Sequence, residues 1–301
     1  MSPDPTFTQP IEVRDLVKTF GQFRALDGVD LTVTAGSVHG FLGPNGAGKS
    51  TTIRVLLGLY RATSSHVRVL GLDPGAHPAE VTRQVSYVPG DVALWPNLTG
   101  GQVLDVLGGL RGVRNRERER ELIDRFALDP GKRVRSYSTG NRQKVMLIAA
   151  LAAPTPLLIL DEPTAGLDPL MERVFSDCIH EATAAGRTVL LSSHILAEVE
   201  RLCTDVTIVR DGLIVESGSL AHLRHLAALD VTVTGPTVEV LVEDLRRWAP
   251  HRDGDTLTCE VDRADLPEVL GRLATAGATD VSVVPASLES LFLRHYEVAA
   301  R

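Results

Sequence analysis

The sequence predicts an α/β fold, a largely parallel sheet flanked by helices, with a smaller α+β domain appended after it. Three observations carry that expectation. Val38-His39-Gly40-Phe41-Leu42 is a short, mostly apolar run that feeds a glycine-rich turn and then a helix-like stretch from Ser50 to Leu59. Leu157-Leu158-Ile159-Leu160 is a continuous apolar run of the kind a central parallel strand shows, and it ends in two carboxylates, Asp161 and Glu162. After Gly218 the pattern changes to short strands and helices in alternation.

The turn after Leu42 reads Gly43-Pro44-Asn45-Gly46-Ala47-Gly48-Lys49-Ser50-Thr51. Its GxxxxGK[ST] spacing, in strand-to-helix context, is that of a P-loop holding a nucleoside triphosphate. Glycines at 43, 46 and 48 let the backbone take positive φ and turn its N–H groups inward as a nest for phosphate oxygens. The helix beyond adds partial positive charge at its N-terminus. Lys49 can reach the β- and γ-phosphates, the Ser50 hydroxyl is placed to ligate Mg²⁺, and Thr51 caps the helix or touches the α-phosphate. The motif alone does not choose among kinases, GTPases and motor ATPases.

Two adjacent carboxylates at a strand end can divide labour. Asp161 would hold the Mg²⁺ shell through water, while Glu162 faces the γ-phosphate as general base or water-positioner. The bland alternative is an acidic turn after a strand. Between these elements Tyr137-Ser138-Thr139-Gly140-Asn141-Arg142-Gln143-Lys144 precedes an apolar helical stretch from Val145 to Ala153, and Ser138 and Gly140 sit where a second anion nest would open a helix. By itself that segment is as well read as an N-cap.

Taken in this order, the motifs resemble those of the ATP-binding cassette (ABC) ATPases, a P-loop NTPase cassette with a RecA-like core, an antiparallel β subdomain and a helical subdomain. The family's signature is written LSGGQ; here Tyr137, Thr139 and Asn141 replace three of its residues while Ser138 and Gly140 are kept. Ala165-Gly166-Leu167-Asp168 resembles the D-loop, which crosses the dimer interface, and His194 after Ser192-Ser193 resembles the switch histidine at the γ-phosphate. Phe20 resembles the aromatic that stacks on adenine, with a core position as its alternative.

The chain also departs from the family. After Tyr87-Val88-Pro89, where a Gln usually senses metal and water, it has Gly90-Asp91, so Asp91 is a candidate metal-facing and coupling residue. Ser64-Ser65-His66 replaces a turn that normally carries Gly, and Leu94 to Thr99 resembles the link into the helical subdomain. The resemblance implies ATP and Mg²⁺ as cofactors, a second copy of the chain as partner, and a separate transmembrane permease of the ABC-2 type. It places the chain in the cytoplasm, on the inner face of the membrane through that permease.

Domain boundaries are expected at 1–219 for the ATPase, with a helical subdomain at about 90–153, and 220–301 for the accessory domain. Its ending, Pro285 to Phe292, resembles the tail of ABC-2 exporter ATPases, and Leu288 to Tyr296 reads as a helix. The densely charged run Arg111 to Glu121 reads as a solvated helix face or a partner-facing one. No uninterrupted apolar run reaches the roughly 20 residues that span a bilayer; Leu147 to Leu160 is broken by Pro154, Thr155 and Pro156. Met1 to Pro10 lacks the basic and apolar parts of a secretory signal. Three isolated cysteines, Cys178, Cys203 and Cys259, suit a reducing compartment, and a net charge of −7 argues against a general nucleic-acid binder. Rival readings are a cassette ATPase acting on ribosomes or DNA, which would bring a second cassette or a long coiled coil, and a small-molecule P-loop kinase, which would have no use for the signature or D-loop.

Overall fold

Residues 7–226 and 228–285 are described in a computed structural model of the chain. They form two compact units that divide between Gly218 and Ser219. In chain order the first runs β1 (Ile11–Phe20), β2 (Phe23–Val33), β3 (Val38–Leu42), α1 (Lys49–Leu56), β4 (Ser64–Val69), α2 (Pro78–Gln84), β5 (Val85–Val88), α3 (Gly100–Arg111), α4 (Arg116–Arg125), α5 (Thr139–Ala152), β6 (Leu157–Asp161), α6 (Pro169–Ala184), β7 (Thr188–Ser193), α7 (Leu196–Leu202), β8 (Asp205–Arg210) and β9 (Leu213–Ser219).

The central sheet has the order β5-β6-β7-β3-β8-β9, and β5, β6, β7, β3 and β8 run parallel. Every residue of β3, β6 and β7 is buried, which explains why the first two read as mostly apolar runs. Register then decides what meets. Leu42 pairs with Ser193 and Asp161 with Ser192, so the segments that follow β6, β7 and β3 emerge side by side at one edge of the sheet. Val88 pairs with Leu160, which brings Pro89-Gly90-Asp91 to that edge too. Ligands of open parallel sheets bind outside these carboxyl ends.

A second, antiparallel sheet has the order β2-β1-β4. Here one expectation is corrected: Ser64-Ser65-His66 is not a turn but the exposed first half of β4, with His66 paired to Arg14 and Ser64 to Val17. Polar residues suit an outer strand half, and only Val67 and Val69 enter the core beside Val13 and Ile11.

The region 90–153 is mainly helical. Thr99 opens α3 with a reciprocal capping box to Gln102, and Asn115 caps α4. The charged run at 111–121 is mostly exposed, as a solvated face should be, and its Arg114 and Arg118 are also ion-paired. Arg114 donates to Asp105 and Glu119, while Arg118, joined by Arg125, grips Glu181 on α6 at 2.6 and 2.8 Å.

The second unit comprises α8 (Leu220–Leu226), β10 (Leu229–Thr234), α9 (Val238–Asp244), β11 (His251–Asp253), β12 (Thr256–Val261), α10 (Leu266–Thr275) and β13 (Asp280–Pro285). Its antiparallel sheet, β11-β12-β10-β13, buries Val231, Val233, Leu257 and Val261 with Leu241 and Trp248 in a core of its own. From sequence alone Leu220 to Leu229 reads as one connecting helix; the structure has the helix over Leu220–Leu226, while Leu229 opens β10 and pairs with Val261. The expected helix Leu288 to Tyr296, and the tail motif beyond Pro285, lie outside the described residues.

Candidate functional site

The loop after β3 owes its shape to different demands at each glycine. Gly48 sits at φ 109° as the N-cap of α1. Gly43 does not take positive φ; a Cβ there would lie 2.3 Å from the Val209 carbonyl oxygen, so close approach of two backbones is what excludes a side chain. That corrects the expectation that all three glycines serve positive φ. Lys49 is buried and its Nζ donates to the Gly43 carbonyl at 2.6 Å and the Pro44 carbonyl at 3.2 Å. A cavity of about 170 Å³ is lined by Pro44, Asn45, Gly46, Gly48, Lys49, Ser50, Thr51 and Glu162. The loop motif and one downstream carboxylate therefore share one space.

At the end of β6 the two acids part company. Asp161 is buried and accepts a short hydrogen bond from the Ser192 hydroxyl. Its neighbourhood, burial first and its charge second, pushes the Tyr87 phenol up to about 12. Glu162 turns the other way because its backbone stands at φ 49°, in the left-handed region that a residue with a Cβ enters at a cost of about 1–3 kcal/mol. Its N–H donates to the Ser192 carbonyl at 3.1 Å. The side chain then lies between two cations or potential cations: Oε1 is 3.3 Å from Lys49 Nζ and Oε2 is 2.6 Å from His194 Nδ1. Oε1 is buried and makes no hydrogen bond in good geometry, while Glu162 as a residue lines the loop cavity.

The signature segment is tied to this centre through the backbone. Ser138 is the N-cap of α5, its hydroxyl accepting from Asn141 N at 3.2 Å. A Cβ on Gly140 would stand 2.3 Å from the Gly166 carbonyl oxygen, so the signature and the 165–168 loop touch backbone to backbone. Asp168 caps α6, with Oδ1 accepting from Leu170 N and Met171 N at 3.0 Å. Tyr137, where the family has Leu, is buried and donates to the Asp129 carbonyl at 2.5 Å.

Two candidates lie at the margins. Phe20 ends β1 and is 43% exposed, so it is not a core residue; it stands edge-on to Tyr60 with centroids 5.5 Å apart, and Lys18 Nζ is 4.8 Å from its ring. Asp91 is exposed, while Gly90 beside it packs against Asp161 and Glu162, with a Cβ there 3.4 Å from the Asp161 carbonyl oxygen.

Sequence reasoning missed three groups that shape the site: Ser192 on Asp161, Gln143, and Glu198. Gln143 is buried, and its Nε2 donates to the Pro163 carbonyl at 2.9 Å, holding the loop after Glu162 from the signature helix. Its position in the run after Gly140 was visible, but not what it would reach. The cysteines are all free and buried, and burial pushes the Cys178 thiol up to about 11. A larger cavity, about 490 Å³, belongs to the second unit around Trp248 and contains none of these motifs.

Comparison with known proteins identifies the family of the chain. The family model for the ABC transporter matches residues 26–165. The daunorubicin/doxorubicin resistance ATP-binding protein DrrA of Streptomyces peucetius is 39% identical over 95% of this chain and 92% of its own length. The Nod factor export ATP-binding protein I of Burkholderia lata is 32% identical over 95% and 96%, and the bacitracin transport ATP-binding protein BcrA of Bacillus licheniformis 33% over 81% and 83%. A solved structure of the ATP-binding subunit of an ABC transporter superposes with a TM-score of 0.67 at 33% identity, covering 71% of this chain and 91% of that one. A P-loop cassette with its antiparallel subdomain, carrying a signature before its acidic pair and near relatives over nearly its whole length, belongs to the ATP-binding proteins of the ABC transporters, as an exporter-type ATPase.

Proposed function

We propose that two copies of this chain close around two ATP molecules and that hydrolysis reopens them, driving a separate transmembrane permease of the ABC-2 type from the inner face of the membrane. The observation that carries this reading is the Glu162 carboxylate, set between Lys49 at 3.3 Å and His194 at 2.6 Å at the floor of the glycine loop. Lys49 and the loop N–H groups hold the β- and γ-phosphates; Glu162 orients and deprotonates the attacking water; His194 steadies Glu162 and meets the γ-phosphate. Ser138 and Gly140 of one copy meet the γ-phosphate held by the other, Asp168 crosses the interface nearby, and Phe20 stacks on adenine.

The donor set suits Mg²⁺. Ser50 and Asp161 offer hard oxygens, and among the described residues no cluster of three or more His, Cys, Asp or Glu could hold a metal alone, which fits an ion shared with phosphate oxygens. When bound it offsets charge on the triphosphate. Asp91, next to the Gly90 that packs on Asp161, is a coupling residue to the permease in this scheme. No helix among the described residues is long and apolar enough to cross a membrane, and in this scheme the cargo path is supplied by the permease. The relatives' names mention daunorubicin, Nod factor and bacitracin, cargoes different enough that the choice belongs to the permease. Glu162→Gln should bind MgATP yet lower its turnover by about 10²–10⁴. Turnover within about threefold of wild type would remove Glu162 from the mechanism.

A further inference from the structure

Glu198, in the first turn of α7, is a buried carboxylate, 5% exposed, and among the described residues no Lys, Arg or His makes an ion pair with it. Carboxylates are rarely buried without a partner unless hydrogen bonds hold them. Its Oε2 accepts from the Ser193 hydroxyl at 2.6 Å, and the same hydroxyl accepts from the backbone N–H of Ile195 at 2.9 Å. Residues 193 and 195 are thus pinned on either side of His194. Oε1 is buried without a completed hydrogen bond, but the Thr164 hydroxyl lies near enough to favour its charged form, two residues beyond Glu162. One carboxyl group therefore faces both loops that carry the reacting side chains, from a helix that contributes no residue to the lining of the loop cavity.

We infer that Glu198 is the positioning residue of the hydrolytic pair: it anchors the turn at 193–195 so that His194 Nδ1 stands against Glu162 Oε2. This rests on the proposed roles of Glu162 and His194. Glu198 Oε2 acts as the acceptor of the Ser193 hydroxyl that holds the turn, a role the amide oxygen of Gln can also fill. Burial, the chief cause, and the Glu162 charge both push the Glu198 carboxyl up, with the Ser193 and Thr164 hydroxyls and the Arg201 charge opposing. Its action is through His194; it does not line the loop cavity.

The test is steady-state hydrolysis of radiolabelled ATP by the full chain, in wild type, Glu198→Ala, Glu198→Gln and Ser193→Ala, each also in a His194→Ala background. Misplacing a catalytic group by about an ångström can cost about 10²-fold. The expected result is a kcat loss of at least about tenfold in Glu198→Ala with KM for MgATP within about threefold, restoration to within about threefold of wild type in Glu198→Gln, and no further loss once His194 is absent. Should Glu198→Ala not fold, Ser193→Ala leaves the carboxylate in place and is expected to show the same split. Equal proportional losses with and without His194, no rescue by Gln, or Glu198→Ala and Ser193→Ala both within about twofold of wild type would overturn the inference while leaving the ATPase reading intact. A wild-type chain that turns over no ATP would overturn that reading, and this inference with it.

Discussion

A carboxylate that must face a phosphate cradle from the end of a buried strand needs the chain to swing outward at once, and Glu162 does so by taking φ 49° immediately after Asp161. Asp161 and Glu162 were legible as a pair from the sequence, but the division between them depends on this one dihedral angle and on Ser192, which no spacing announces. Gly140 is a second case: its spacing from Ser138 marked it, yet its reason lies 26 positions away, in the Gly166 carbonyl. Gly140→Ala should cost about 1–3 kcal/mol by overpacking two backbones, read as a lower urea midpoint, and should lower turnover with it. His39 offers a test that does not involve catalysis. It is buried on β3 with Nε2 2.9 Å from Thr207 Oγ1, and burial takes it from its ordinary 6.5 down to about 4, against a smaller opposing effect of Asp205. The unfolded chain binds that proton more tightly, so His39's contribution, about 3 kcal/mol, is present above pH 6.5 and is lost as the pH falls through 4. A His39→Gln chain is expected to show a shallower loss of stability between these values in urea titrations; an unchanged slope would mean the imidazole is not held neutral.

Among the elements, β3 and β6 were legible because burial on both faces keeps them mostly apolar, with His39 the polar exception inside β3 and Asp161 closing β6. What escaped was decided by pairing rather than by pattern. Ser64-Ser65-His66 looks like a turn and is a strand because β1 supplies its hydrogen bonds. The short helix α7 was not marked, and with it Glu198, since a seven-residue helix after a strand end has too few turns to show a face. The helix caps give a quantitative check. Asp168 caps α6 through two N–H groups, so Asp168→Ala should lower stability by about 1 kcal/mol, while Asp168→Asn should keep the cap and still weaken any contact across a dimer. Asp91 belongs to this scale as well, because what places it is the pairing of β5 with β6. Asp91→Ala is expected to leave hydrolysis by the isolated chain unchanged and to lower stimulation by the permease; equal stimulation would exclude it from coupling.

At the scale of the molecule, the two units each have their own core, and the change in sequence character after Gly218 reflects that division. A chain ended after Ser219 keeps both sheets of the first unit and every residue of the candidate site, so it should unfold cooperatively and still bind ATP. Failure to fold would make the second unit part of the cassette's stability. One chain carries one glycine loop and one signature, and in the proposed scheme neither is complete until a second copy arrives. ATP favours the closed pair because it touches both halves, and cleavage removes that preference. The most direct measurement is the mass in solution, by analytical ultracentrifugation, of the Glu162→Gln chain with saturating MgATP. The expected result is a dimer that returns to monomer when ATP is replaced by ADP; a protein that binds MgATP and keeps the monomer mass, alone and with its permease, would contradict it.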